Sequence, residues 1–228
     1  MKKRITIFTI VLALIVVAAG IFMYTRSQAR NQATQENSAA VSQAKTTRQS
    51  TKDLSGDHDV LVVYFSRTQG VWNGPLEIGN TARIANFIQE ATNADTFEIL
   101  PQNDYPDDYT QTTRIARDEQ NNNARPAIKG DLPDLSGYEY IFIGAPVWWG
   151  EYPMIVRTFL DAEANGLSNK TLIPFTTNEG SGLGNTQSQL SSQFPQATVL
   201  DGFSVRGPEA ANSQADVDSW LKQIGVTQ

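Results

Sequence analysis

Residues 60–65 read Val-Leu-Val-Val-Tyr-Phe, six large apolar positions without a polar break. A strand with one wet face alternates polar and apolar residues, whereas an unbroken β-branched run marks a strand buried on both faces. Such a strand needs a covering layer on each side. Tyr140–Ile143 and Thr171–Phe175 repeat the texture, and Thr96–Leu100 and Thr198–Leu200 are weaker versions of it. Helical patterns fall between them. Thr81–Ala91 sets Ile84, Ala85, Ile88 and Ala91 on one face. Pro153–Ala164 opens with Pro in the first turn and predicts burial of Ile155, Phe159 and Leu160. Ser213 with Asp216 predicts a capping box ahead of Val217, Trp220, Leu221 and Ile224, with Gly225 as the stop. Strands alternating with helices pair in parallel through right-handed crossovers, which gives an open α/β sandwich. About 170 residues suit five strands and their helices in one domain.

The first 57 residues have a different texture. Ile5–Tyr24 are twenty uncharged, mostly apolar positions preceded by Lys2, Lys3 and Arg4. A helix of that length spans about 30 Å, the thickness of a bilayer core. The basic flank predicts a cytoplasmic N-terminus with the rest of the chain translocated. Residues 1–24 are therefore an uncleaved anchor, or a signal peptide cut after Ala19 or Ala29; the length of the apolar run favours the anchor. Residues 25–57 are Gln, Ser, Thr, Ala, Asn and Lys with almost no large apolar side chain, a composition that predicts a flexible tether. The folded domain is assigned to residues 58–228.

Composition removes several kinds of chemistry. The chain has no Cys, so it has no disulfide, thiolate metal site or cysteine nucleophile. His58 is its one histidine and lies at the end of the tether, and Gly180-Ser181-Gly182 is not a nucleophile elbow; both argue against a hydrolase. Positions 1–29 hold four basic residues and no acid, so the remainder carries 14 basic and 24 acidic residues. That acidic body argues against nucleic acid as a partner and suits a basic docking face.

In an open α/β sheet, ligands bind beyond the carboxyl ends of the strands. The first strand is followed by Ser66-Arg67-Thr68-Gln69 and, ten residues on, by Gly79-Asn80-Thr81 at the start of a helix. Hydroxyls and amides at a helix N-terminus suit a phosphate, although an ordinary strand-to-helix turn has the same residue types. The third strand ends in Gly144-Ala145-Pro146-Val147-Trp148-Trp149-Gly150-Glu151. Adjacent side chains diverge from an extended backbone, so at least one Trp faces the surface or a ligand. The fourth strand ends in Thr176-Thr177-Asn178-Glu179-Gly180-Ser181-Gly182-Leu183-Gly184, whose glycines permit close backbone approach.

These residues carry a resemblance. Val60–Gln69 with Gly79-Asn80-Thr81 resembles the opening of a flavodoxin, whose first strand runs into Tyr-Phe-Ser-Arg-Thr-Gly-Asn-Thr. Asn122-Asn123-Ala124-Arg125-Pro126, Leu132-Pro133-Asp134-Leu135, the Trp-Trp-Gly loop and Gly180–Gly184 are similar to a bacterial flavodoxin-like subfamily. The resemblance implies a flavodoxin-like three-layer sandwich with a five-stranded parallel sheet in order 2-1-3-4-5, and bound FMN. By position, Ser66, Arg67, Thr68, Asn80 and Thr81 would hold the phosphate, with Gln69 beside them. Ala145, Pro146, Val147, Trp148, Trp149 and Gly150 would flank the isoalloxazine, with one of the two Trp stacked on it; Trp148, nearer the strand end, is slightly favoured over Trp149. Thr177, Asn178, Glu179, Gly180, Ser181 and Gly182 would close the other side. The sequence departs from the family at Gln69–Ile78, an insert carrying Trp72, Asn73 and Gly74-Pro75. The insert either arches over the site and leaves the cradle intact, or disturbs it.

The function expected from the resemblance is an extracytoplasmic FMN electron carrier, tethered to the membrane, exchanging electrons with redox partner proteins or small acceptors. An NAD(P)H- or quinone-linked FMN reductase and a flavodoxin-fold binding module without flavin are the alternatives.

Overall fold

The computed structural model describes residues 59–227. The apolar segment, the tether and His58 lie outside the described residues. Among the described residues, no helix is long and apolar enough to cross a membrane.

The chain order is β1 (Val60–Tyr64), α1 (Asn80–Thr92), β2 (Asp95–Glu98), α2 (Tyr109–Asn121), β3 (Tyr140–Pro146), α3 (Met154–Ala162), α4 (Ala164–Leu167), β4 (Thr171–Asn178), α5 (Thr186–Gln193), β5 (Thr198–Val199), β6 (Phe203–Arg206), a 3₁₀ turn (Gly207–Asn212) and α6 (Gln214–Gln223). All strands run parallel in the order β2-β1-β3-β4-β5, with β6 also on β4. This is the flavodoxin-like sandwich that the strand pattern and motifs predict.

The unbroken run in β1 is buried on both sides because successive residues face opposite layers. Leu61, Val63 and Phe65 join Ile141, Ile143, Ile155, Phe159 and Leu190 in one core. Val60 and Val62 join Phe142, Ile173, Ile84, Ile88, Val217 and Leu221 in the other. The helices α3 and α5 thus cover one face, and α1 and α6 the other.

Five features differ from the sequence expectation. The sheet has a sixth strand, because the fifth position is split: β5 pairs with Thr171 and Leu172, and β6 with Phe175–Asn178. Between them, residues 200–202 oppose only Ile173 and Pro174. Pro174 has no N–H for the ladder, and three residues against two form a bulge. Ala91 is exposed near the C-terminal end of α1, while Ile84, Ala85 and Ile88 are buried. Pro153 is the N-cap of α3 instead of a first-turn residue. The Ser213 capping box does not form; its hydroxyl donates to Ala210 O at 3.0 Å, since the chain enters α6 from the 3₁₀ turn. The fifth difference is two helices outside the sequence expectation, which bury few apolar residues: α2 buries only Thr112 and Ala116, and α5 only Thr186 and Leu190.

Candidate functional site

The three loops expected to converge do so at the carboxyl ends of β1, β3 and β4. They enclose a cavity of about 530 Å³.

One end of the cavity is polar. Ser66, Asn80, Thr81, Thr177, Asn178 and Glu179 line it. The helix α1 begins at Gly79, which supplies no capping side chain, and its first turn holds no acid. Ser66 Oγ accepts one amide of that turn, from Ala82 at 3.0 Å. Gly79 is buried because the turn presses onto the chain leaving β1. A Cβ there would fall 2.2 Å from Ser66 Oγ and 2.7 Å from Arg67 O. Thr81 Oγ1 and Thr177 Oγ1 share a buried hydrogen bond of 2.8 Å. Opposite, a Cβ on Gly207 would lie 2.6 Å from both Asn80 Nδ2 and Glu179 Oε1. Residue 207 therefore packs closely under the side-chain tips of Asn80 and Glu179. Partial burial raises the Glu179 pKa, and nearby Arg206 opposes that rise.

Arg67 also lines the cavity, but its guanidinium is engaged elsewhere. It donates to Thr112 Oγ1 at 2.9 Å, Tyr105 O at 3.0 Å and Pro106 O at 2.8 Å. Burial lowers its pKa, and Asp107, Tyr105 and Asp104 act in the opposite sense. Arg67 thus ties the end of β1 to the start of α2 instead of reaching the α1 turn.

The other end of the cavity is aromatic. Pro146, Val147, Trp148, Trp149 and Gly150 line it. The two tryptophans diverge as the extended-chain argument requires, Trp148 toward the core and Trp149 toward the surface, and both line the cavity. Trp148 stands edge-on to Phe65 and Tyr105, with centroids 5.5 and 5.1 Å away, and packs against the core. Trp149 has a φ of +51° and is 49% exposed. Its Nε1 donates to Thr113 O at 3.0 Å, and Arg117 Cζ lies 4.3 Å from its ring centroid. The turn is closed by paired Trp148 and Glu151 backbone bonds of 3.0 and 3.2 Å. The Glu151 carboxylate accepts from Gln120, Gln189 and Arg157.

Ser181 lines the cavity between these ends. The remaining expected residues lie outside its wall. Thr68 and Gln69 are exposed. Ala145 is fully buried in β3. Gly180 donates its N–H to Asn178 Oδ1, and Gly182 O accepts from Thr176, so both shape the loop.

Sequence reasoning did not assign Gly70, Val71, Tyr109, Thr112, Thr113, Ala116 and Gly207 to the wall, where the structure puts them, and it left the place of Trp72 open. The α2 set has the spacing i, i+3, i+4, i+7 of one helix face. That signal was hidden because the face is hydroxyl and small rather than apolar.

A parallel sheet with helices on both faces and a cavity past its first, third and fourth strands defines a flavodoxin-type α/β protein. The chain belongs to the flavodoxin family, whose model, described as Flavodoxin, matches residues 59–224. It is similar to a candidate flavoprotein from Bacteroides eggerthii DSM 20697, with 28% identity over 73% of this chain and 97% of the other and a TM-score of 0.57. A candidate flavoprotein from Bacteroides uniformis ATCC 8492 is likewise 28% identical, over 72% and 98%, with a TM-score of 0.56. A flavoprotein from Lactobacillus acidophilus NCFM, solved in complex with FMN, shares the fold at 24% identity over 69% and 99%, with a TM-score of 0.51. No curated protein matches the chain.

Proposed function

We propose that this chain binds FMN in the cavity and serves as an extracytoplasmic electron-transfer protein of flavodoxin type. The observation that carries the cofactor assignment is that one cavity is lined both by the acid-free first turn of α1 and by a tryptophan ring. The orphan amides and dipole of α1 favour a dianion, and Asn80 and Thr81 add side-chain donors. Trp149 offers a planar surface for offset stacking of a tricyclic ring. When bound, FMN supplies one- and two-electron redox chemistry.

The protein's own residues bind and orient. Trp148 holds the loop in the core, and the Glu151 network fixes the loop's exit. Thr81 and Thr177 keep the α1 turn against β4. No side chain is required to transfer a proton. The relatives' description as flavoproteins and the solved complex of the Lactobacillus protein with FMN support this reading.

The full chain, purified in detergent, is expected to be yellow or to take up FMN with one-to-one stoichiometry. A colourless chain that binds neither FMN nor riboflavin overturns the cofactor assignment. Reoxidation of the photoreduced, loaded chain by a one-electron acceptor such as ferricyanide tests electron transfer. For location, Lys2–Arg4 before the apolar run at 5–24 supports a membrane anchor with the acidic body outside. Protease added to intact cells is expected to remove the body; digestion only after lysis reverses the orientation.

A further inference from the structure

We propose that the 69–78 insert and α2 form a second subsite in the same cavity, a slot for a flat, uncharged aromatic ring of the quinone class. It rests on the FMN reading in one respect only: the slot opens beside the place assigned to the flavin.

The insert is a built loop. Leu76 N–H donates to Thr68 O at 2.9 Å, so the chain returns to where it left. The α1 turn is thereby preserved, and the ten extra residues stand to one side of it. Gly74 N–H donates to Val71 O at 3.2 Å and tightens the loop tip. At Gly70 the backbone is pressed onto the entrance of α2. Its φ is +61°, and a Cβ would fall 2.5 Å from Pro106 O and 2.8 Å from Thr112 Oγ1. A side chain at 70 would lift the loop away.

The seated loop carries two apolar residues to the cavity, Val71 and Trp72. Trp72 is 53% exposed and Tyr109 41% exposed, yet they stand edge-to-face with centroids 5.4 Å apart. Large aromatic surfaces left in water at a cavity mouth mark a binding site more often than a scattered surface residue. Thr113 and Ala116 of α2 continue the wall. The family's phosphate turn needs none of these residues.

Charge selects the guest. Two cations at the cavity are already engaged, Arg67 with three oxygens and Arg117 with the Trp149 ring. Around the slot entrance stand Asp104 and Asp107, close enough to act on Arg67, and Asp108, which caps α2. With both arginines engaged, these carboxylates repel a phosphorylated dinucleotide and admit a neutral ring.

The test titrates 1,4-naphthoquinone into the FMN-loaded full chain, read by calorimetry and tryptophan quenching. Trp72→Ala and Tyr109→Ala are both at exposed positions and are each expected to weaken naphthoquinone binding about three- to tenfold. FMN affinity is expected to fall less than naphthoquinone affinity, since neither residue belongs to the phosphate turn or the Trp-Trp loop. NADH is expected not to displace the quinone. The inference is overturned if the loaded chain does not bind naphthoquinone, if both variants bind it like the parent, or if FMN affinity falls in step with it. Displacement by NADH overturns the uncharged assignment. Should the chain take up no FMN, the cofactor reading fails alone, and the same titration of the flavin-free chain and its variants decides the slot.

Discussion

Thr81 Oγ1 lies 2.8 Å from Thr177 Oγ1, a buried contact across 96 residues that joins the first turn of α1 to the end of β4. It ties the proposed phosphate cradle to the neighbouring strand, so the position of the turn depends on a residue far away in the chain.

Thr81→Ala is expected to weaken FMN binding about ten- to hundredfold. The change removes a hydroxyl beside a dianion, and a hydrogen bond to a charged group contributes roughly 1.5–3 kcal/mol. Riboflavin, which lacks the phosphate, is expected to bind variant and parent alike. Fluorescence titration with both ligands measures the difference. Equal losses for the two would place Thr81 away from the phosphate.

The two tryptophans separate in the same assay. Trp149→Ala is expected to weaken FMN and riboflavin together, because ring stacking is shared by both, with a loss of roughly 1 kcal/mol. Its cost in stability is small, since the ring is 49% exposed. Trp148→Ala removes the edge-on partner of Phe65 and Tyr105 and is expected to cost about 3 kcal/mol in urea unfolding. The opposite pattern, with Trp148 governing riboflavin affinity and Trp149 stability, would restore Trp148 as the ring platform.

Gly79→Ala tests the close approach at the cradle. The new Cβ would meet Ser66 Oγ at 2.2 Å and the backbone oxygen of Arg67 at 2.7 Å. Backbone cannot swing aside as a side chain does, so a loss of roughly 1–3 kcal/mol in stability is expected, together with reduced FMN affinity. A variant as stable as the parent in urea would show that the turn has room to spare.

Glu119 makes stability depend on pH. It accepts a 3.0 Å hydrogen bond from Tyr105 Oη, and burial pushes its carboxyl from the ordinary 4.5 up to about 7. Between those values the folded chain holds the proton and the unfolded chain releases it. Stability from this group is therefore complete below about 4.5 and declines as pH rises through about 7. Burial also raises the pKa of Glu98 and Glu179, which act in the same sense. Glu119→Gln keeps an acceptor for Tyr105 and has nothing to titrate. Its unfolding midpoint is expected to fall less than the parent's between pH 5 and 8. Parallel curves for parent and variant would sink the assignment.

The strand pattern was legible because it is local. Val60–Tyr64 is apolar on every residue, and only a strand covered on both sides uses such a run. The Trp-Trp-Gly loop and the Gly-rich loop were legible for the same reason, as punctuation at strand ends. Helix α2 was not legible, since Thr112 and Ala116 bury a polar and a small side chain and leave no apolar stripe. The split fifth strand was hidden too, because the break at residues 200–202 answers Pro174 on a different strand.

By itself, then, the sequence determined the layer order, the sheet edge where the site lies and the residue types offered there. Tertiary structure decided which of those side chains face the cavity. Arg67 turns to Tyr105 O and Pro106 O, Trp148 is taken by Phe65 and Tyr105, and the insert closes through Leu76 and Thr68. Local periodicity reports the face a residue occupies on its own element, but a polar or aromatic group is claimed by whichever distant partner the fold brings within reach, and that choice leaves no mark in neighbouring residues.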